Sequence, residues 1–177
     1  RHPFQLHILG DGMLVATYSG RRTAAGAFTA SSGVFVSTNG GQAWIDRSHT
    51  NMHYWTKDIV LDPLDPGQSN WYVGVFSGWG GAPYEKGGLY RTANRGLNWT
   101  RILDLDRVTS CSFNPLNTNE LYVTTEMEGL WHSGNIRSAT PAFSAVLSYP
   151  FRQPERVFFN PHKPHEVWVT SFGNGLK

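Results

Sequence analysis

Cysteine, charge and long apolar runs are all scarce in this chain of 177 residues. Its single cysteine, Cys111, has no partner for an internal disulfide, so packing alone must hold the fold; the thiol is expected to act as a small buried hydrophobe. Charged residues make up 16% of the chain and the net charge is +2, with no basic run or stripe, which excludes a nucleic-acid footprint. No apolar run reaches the roughly eighteen residues of a membrane-spanning helix. No glycine-rich phosphate loop follows a strand and opens a helix, so no nucleotide is expected. The histidines are scattered, and His49 and His53 have helical ligand spacing but lie in a loop. Neither a metal nor any other cofactor is therefore expected. Asn98-Trp99-Thr100 forms a glycosylation sequon that overlaps a turn motif and is read as coincidental.

What the chain does contain is repetition. Val34-Phe-Val-Ser37-Thr-Asn39-Gly-Gly41-Gln-Ala-Trp44 returns as Leu89-Tyr-Arg-Thr92-Ala-Asn94-Arg-Gly96-Leu-Asn-Trp99, sharing the skeleton Ser/Thr-x-Asn-x-Gly-x-x-Trp. A degenerate third copy runs from Ser133 through Asn135 to Phe143. A second motif, an apolar run closed by Asp/Asn-Pro, ends at Pro63, Pro115 and Pro161, at steps of 52 and 46 residues. Steps of this size with strands inside them match the four-stranded blade of a β-propeller, at roughly 40–50 residues per repeat. The 14% aromatic content and 19 glycines suit many strands and turns.

Residues 57–103 serve as the type repeat. Lys57 to Asp62 forms a short β-branched first strand. The proline-rich stretch from Asp62 to Asn70 must leave the sheet, because proline donates no ladder hydrogen bond. Trp71 to Phe76 is the second strand, Leu89 to Thr92 the third and Asn98 to Leu103 the fourth, with Asn94-Arg95-Gly96 as the tight turn between the last two. The fold class is thus all-β. Blades are expected at 1–48, 55–103, 107–147 and an incomplete 154–177, about three and a half in one partial propeller.

The Ser/Thr-x-Asn-x-Gly-x-x-Trp element resembles the Asp-box of the BNR-repeat β-propellers, the superfamily of sialidases, sortilin-type receptors and xyloglucan-degrading glycosidases. Asn39 and Asn94 stand at its acidic position. The resemblance implies a hairpin between third and fourth strands with a structural role, Trp44 and Trp99 being largely buried and far from any ligand. Tyr72-Val-Gly-Val-Phe-Ser-Gly-Trp-Gly-Gly81 and Thr170-Ser-Phe-Gly-Asn-Gly175 are similar to segments of secreted bacterial members, which implies a secreted or extracellular location. Low charge and abundant Trp, Asn, Thr and Gly agree with a carbohydrate-facing surface. Three and a half blades fall short of the four to eight of a closed ring, so the chain is expected to be a C-terminal part of a propeller. Its remaining three or four blades would come from the same or another chain.

One end of each blade carries the stereotyped Asp/Asn-Pro turns and Asn hairpins. The other carries second-to-third loops and blade crossings, which differ from repeat to repeat and are free to bear function. That end gathers Trp55, Trp79, Tyr84, Arg107 and Arg152 as candidate ligand-binding residues, since an aromatic face stacks on a sugar ring while Arg and carboxylates bond its hydroxyls. Asp104, Asp106, Glu126, Glu128, Glu85 and Glu155 are the carboxylates available for acid–base work. Glycoside hydrolysis needs two across one bond, and Asp106 with Glu126, at one end of one blade, form the expected pair. Arg21, Arg107 and Arg152 with Tyr18, Tyr54 and Tyr149 invite comparison with a sialidase. The early arginine motif is not recognisable, however, and the spacing differs, which argues against that activity.

Three readings remain open: part of a secreted glycoside hydrolase-like propeller with its site at the variable face, a non-catalytic propeller that binds glycan or protein there, and a structural half-ring completed by a partner.

Overall fold

The computed structural model describes residues 2–20, 23–27, 29–77, 87–163, 165–173 and 175–176. Among these, the regular structure is strand apart from one 3-10 turn at Thr50–His53. Strands come in four consecutive groups. The first holds β1 (His2–Ile8), β2 (Leu14–Ser19), β3 (Gly33–Ser37) and β4 (Ile45–Asp46). The second holds β5 (Trp55–Leu61), β6 (Trp71–Phe76), β7 (Gly88–Thr92) and β8 (Thr100–Leu103). The third holds β9 (Val108–Phe113), β10 (Leu121–Thr125), β11 (Leu130–Ser133) and β12 (Ser144–Ala145); the last holds β13 (Pro154–Phe159), β14 (Val167–Ser171) and β15 (Gly175–Leu176). Within each group every strand pairs antiparallel with the next. The first two sheets are also bridged by one residue pair, Ser19 with Trp55.

The sheets stack face to face because each second strand is apolar on both sides. Along β6, Trp71, Val73 and Val75 point into a core shared with Leu9, Val15, Val34, Val36 and Ile59 of the first two sheets. Tyr72, one residue out of phase, joins Leu89, Val108, Cys111, Leu121 and Val123 in the next core. The period of two in a strand thus splits one hexapeptide between two interfaces. Gly74 lies where an added Cβ would come within 2.8 Å of Val108, so the missing side chain allows the second and third sheets to approach. Leu130, Val157 and Val169 form the third core. Cys111 is fully buried, and burial pushes its thiol well above the usual range, as a residue used for packing requires.

The first strands β1, β5, β9 and β13 lie side by side as the inner edge of the stack. All four share an irregularity that the sequence does not announce. Partner register skips Phe4 in β1, Lys57 in β5 and Glu155 in β13, and β9 has the same skip at Thr109 against β10. Each is a bulge that adds one residue and re-aims the side chains beside it. β5 begins at Trp55 and not at Lys57, because Trp55 and Thr56 pair with Phe76 and Val75 ahead of the bulge.

The three Asn hairpins share one set of bonds. Asn39 Oδ1 accepts from Ser37 Oγ (2.9 Å) and the Ala43 amide (2.9 Å). Asn94 does the same with Thr92 and the Asn98 amide, both at 2.9 Å. In the third copy Asn135 accepts from Ser133 Oγ and, seven residues on, from the Ala142 amide (2.8 Å). The degenerate copy is therefore a hairpin with three residues inserted, and Phe143 follows Ala142 as Trp44 follows Ala43. Trp44 and Trp99 are only partly buried, because the fourth strand is the outermost and begins after them. Trp99 still packs 6.4 Å from the buried Trp71 ring and donates to the Arg47 carbonyl (2.6 Å).

Hairpins and turns also clamp one sheet to the one before. Arg95, in the second hairpin, pairs with Asp11 in the β1–β2 turn and donates to the Gly67 carbonyl (2.7 Å). Arg137, in the third, makes a bidentate pair with Asp62 in the β5–β6 turn and bonds the Thr118 carbonyl.

Candidate functional site

The end of the molecule opposite these clamps carries the β10–β11 loop, the crossing that leads into β13, the residues after β14 and the starts of the bulged inner strands. Three adjoining cavities open there. The central one, about 250 Å³, is lined by Lys57, Phe76, Glu126, Gln153, Glu155 and Phe172. It shares Glu126 and Gln153 with an outer groove of about 620 Å³ that adds Met127 and Arg152. It shares Lys57 and Glu155 with an inner pocket of about 330 Å³ lined further by Phe4, Gln5, Thr109, Arg156, Phe158 and Thr170. The result is one trough running from the rim to the inner strands. Phe76 and Phe172 give its middle an aromatic character, and carboxylate, ammonium and amide groups surround them. All four bulged residues, Phe4, Lys57, Thr109 and Glu155, line its inner pocket.

Charge in the trough is organised in pairs. Arg107, with φ +53° at the foot of β9, is 7% exposed and donates to Glu126 Oε2 at 2.7 Å. The Glu126 amide donates to the Arg107 carbonyl at 3.0 Å, so side chain and backbone hold this pair together. Lys57 Nζ lies 4.0 Å from Glu155 and 4.8 Å from the centre of the Phe76 ring. Burial raises the Glu155 pKa, the neighbouring Glu126 charge raises it further, and Lys57 opposes both. Glu128 is raised by desolvation and by Asp106.

Behind the inner pocket stands Asp58, fully buried beside the Lys57 bulge. Its Oδ1 accepts from Gln5 Nε2 (2.7 Å) and Arg156 Nη2 (2.9 Å), and its Oδ2 from the Cys111 amide (2.9 Å). One carboxylate on the second sheet thus ties together the first, third and fourth. Burial raises its pKa against the opposing pull of Arg156 and the hydrogen bonds.

The residues singled out from the sequence are placed as follows. Glu126 and Arg152 line the trough, Arg152 exposed in the outer groove. Arg107 is buried beneath Glu126 and its guanidinium lies 5.8 Å from the Phe76 ring centre. Trp55 is half-buried with its ring 5.5 Å from Phe76. Asp106 is turned toward Ser77, which donates to it, and toward Gly87, where an added Cβ would meet its Oδ1 at 2.5 Å; it lines none of the three cavities. Trp79 and Tyr84 lie outside the described residues, as does Glu85. Lys57, Phe172 and Asp58 were not among the expected site residues. Asp58 could have been found by aligning the repeats. Four residues before each Asp/Asn-Pro stand Asp58, Ser110 and Arg156, all polar within apolar strands.

No protein-family profile matches the chain, and no curated protein matches its sequence. Solved structures do. A GH74 enzyme of Niastella koreensis superposes with a TM-score of 0.57 over 99% of this chain at 14% identity. The GH74 xyloglucanase of Xanthomonas campestris gives 0.59 over 90% at 14% identity. The extracellular domain of a B. thetaiotaomicron one-component system gives 0.64 over 98% at 10% identity.

The chain is a sector of a β-propeller. At these identities the likeness concerns the fold, and the chain spans 28%, 27% and 21% of those three proteins. In propeller terms the inner strands β1, β5, β9 and β13 are the axial strands of four successive blades, the fourth described with three strands. The trough then runs from the variable rim of the ring toward its axis. Among the described residues no helix is long and apolar enough to cross a membrane.

Proposed function

We propose that this propeller sector belongs to an extracellular carbohydrate-active protein of glycoside-hydrolase type, with its site on the variable-loop face. One observation carries this reading. The trough is continuous, has Phe76 and Phe172 at its middle, and is bordered there by Glu126, Glu155, Lys57 and Gln153. An elongated groove suits a chain ligand, an aromatic face suits a sugar ring, and closely set carboxylates suit acid–base work on a glycosidic bond. Two propellers with this fold are GH74 enzymes, one a xyloglucanase. The Asn hairpins are taken as Asp-box variants of the BNR type with a purely structural role.

In this reading Arg152 bonds sugar hydroxyls in the outer groove, and Trp55, Trp79 and Tyr84 supply aromatic surface along the same rim. Glu126 is one catalytic carboxylate, held by Arg107; Asp106, the partner that the sequence spacing suggests, is engaged by Ser77 and is not assigned that role. Further blades, from the same or another chain, cover the outer faces of the first and fourth sheets. Those faces expose Leu6 and Ile8 on one side and Trp168 and Leu176 on the other.

A second reading, a non-catalytic glycan-binding propeller, is favoured by the engagement of Glu126 with Arg107 and of Asp106 with Ser77. Incubating the full-length protein with a polysaccharide panel that includes xyloglucan, and measuring both binding and new reducing ends, separates the two. Cleavage supports the hydrolase. Binding without cleavage supports the second reading, and neither overturns both.

A further inference from the structure

Glu126 and Glu155 occupy a distinctive position relative to one another. Both line the central cavity, Glu126 where it opens to the outer groove and Glu155 where it opens to the inner pocket. A polymer lying along the trough must pass both. Asp106 meets no such ligand, because it faces Ser77 and Gly87.

The surroundings of the two carboxyls differ in kind. Glu126 lies against the buried Arg107 guanidinium, which donates to its Oε2 at 2.7 Å. Glu155 sits on a strand bulge in the cavity that Phe76 and Phe172 also line, and pairs with Lys57 at 4.0 Å. Burial and the fixed negative charge of Glu126 both favour its protonated form. Two carboxyls in one cavity, one bound by a buried guanidinium and the other set among aromatic side chains, have the asymmetry that acid and base roles require.

Resting on the hydrolase reading above, we propose that Glu155 is the proton donor of the reaction and Glu126 its base. The Glu155 carboxyl passes its proton to the glycosidic oxygen as the bond from that oxygen to the anomeric carbon breaks, and the leaving sugar departs as an alcohol. Water forms the new bond to the anomeric carbon and yields its proton to Glu126. Proton exchange with solvent then restores both groups, so no oxidant, reductant or cofactor enters. Facing Glu155 are Lys57 on its bulge and Glu126 across the cavity, with Arg107 behind Glu126; Arg156, next to it in β13, lines the same inner pocket. Lys57 Nζ is placed to bond a sugar hydroxyl and to keep Glu155 from binding its proton too tightly.

The test compares substrates that do and do not need an acid. In the full-length protein, Glu155→Gln should lower kcat on xyloglucan by about 10²–10⁴-fold, the range of a lost proton-transfer group. The matching 2,4-dinitrophenyl glycoside leaves without protonation, and its hydrolysis should fall by less than about tenfold. Glu126→Gln should depress both substrates, and Asp106→Asn neither. Equal loss on both substrates in Glu155→Gln would mark the residue as structural and overturn the assignment, as would full retention of xyloglucan cleavage. If the unaltered protein cleaves no glycan in the panel, the hydrolase reading fails and the assignment falls with it.

Discussion

Asp58 on the axial strand of the second blade is bonded to Arg156 on the axial strand of the fourth, 98 residues away, at 2.9 Å. Asp58 is fully buried, and Arg156 retains 32% of its side-chain exposure. The pair crosses the inner edge of the stack, and the Gln5 and Cys111 bonds make it a junction of four blades.

Removing the arginine should therefore cost more than a surface pair would. Arg156→Leu strands a buried carboxylate and should destabilise the protein by about 3 kcal/mol at pH 7. Burial already lifts the folded-state pKa of Asp58 above its unfolded value. The stability it contributes is then fullest below the unfolded pKa and is lost as pH rises through the folded pKa. Without Arg156 that pKa rises further, so the variant's deficit should shrink when pH is lowered toward the ordinary aspartate range. Urea titrations at pH 4.5 and 7 check this; an equal deficit at both would contradict it.

The Asn hairpins should behave as structural units. Asn94→Ala removes two acceptor bonds and should cost about 1–2 kcal/mol. Trp99→Ala should cost about 3 kcal/mol, the low end for a large aromatic, because the ring is only partly buried. Chemical denaturation measures both, and glycan affinity should be unchanged in either variant.

The two inter-blade clamps differ in depth. Asp62 is 6% exposed and held bidentately by Arg137, whereas Asp11 is 48% exposed beside Arg95. Arg137→Ala should lower stability by about 2–3 kcal/mol, while Arg95→Ala should leave the thermal midpoint nearly unaltered. Comparable midpoints for the two would show that burial is not what sets their strength.

Two arginines from the variable face should separate binding from stability. Arg152, exposed in the outer groove, should on change to Ala weaken by about tenfold the binding of whichever polysaccharide of the panel the protein retains, the worth of one charge-assisted hydrogen bond. Arg107→Ala should instead destabilise the fold by about 3 kcal/mol, because it strands Glu126 in a largely buried site. Calorimetric titration alongside thermal melts reads both quantities.

The all-β blade architecture was legible because it is written several times over. Asp62-Pro63, Asn114-Pro115 and Asn160-Pro161 mark the same turn, and Asn39 and Asn94 the same hairpin. The end of the blades that carries variable loops was legible for a related reason: stereotyped turns are spoken for, and variable ones are not. What escaped was the interior of that end. Bulges at Lys57 and Glu155 leave no mark in composition, and a strict period of two sends Thr56 to the wrong face. Glu126, Arg152 and Glu155 were visible as charged residues in variable segments. Their meeting in one trough depends on inter-blade packing that no local pattern encodes. Asp106 was paired with Glu126 on chain proximity, and Ser77 draws it away.

The Ser19–Trp55 bridge, among the described residues the one ladder pair shared by neighbouring blades, has a mechanical consequence. Elsewhere a blade can be peeled from the next by parting side chains, a gradual loss of many weak contacts. Between the first two blades a backbone rung must be sheared as well. Under a stretching force this junction should yield last and as one event, which makes the first two blades the unit that resists extension and the natural seed from which the rest of the stack re-forms.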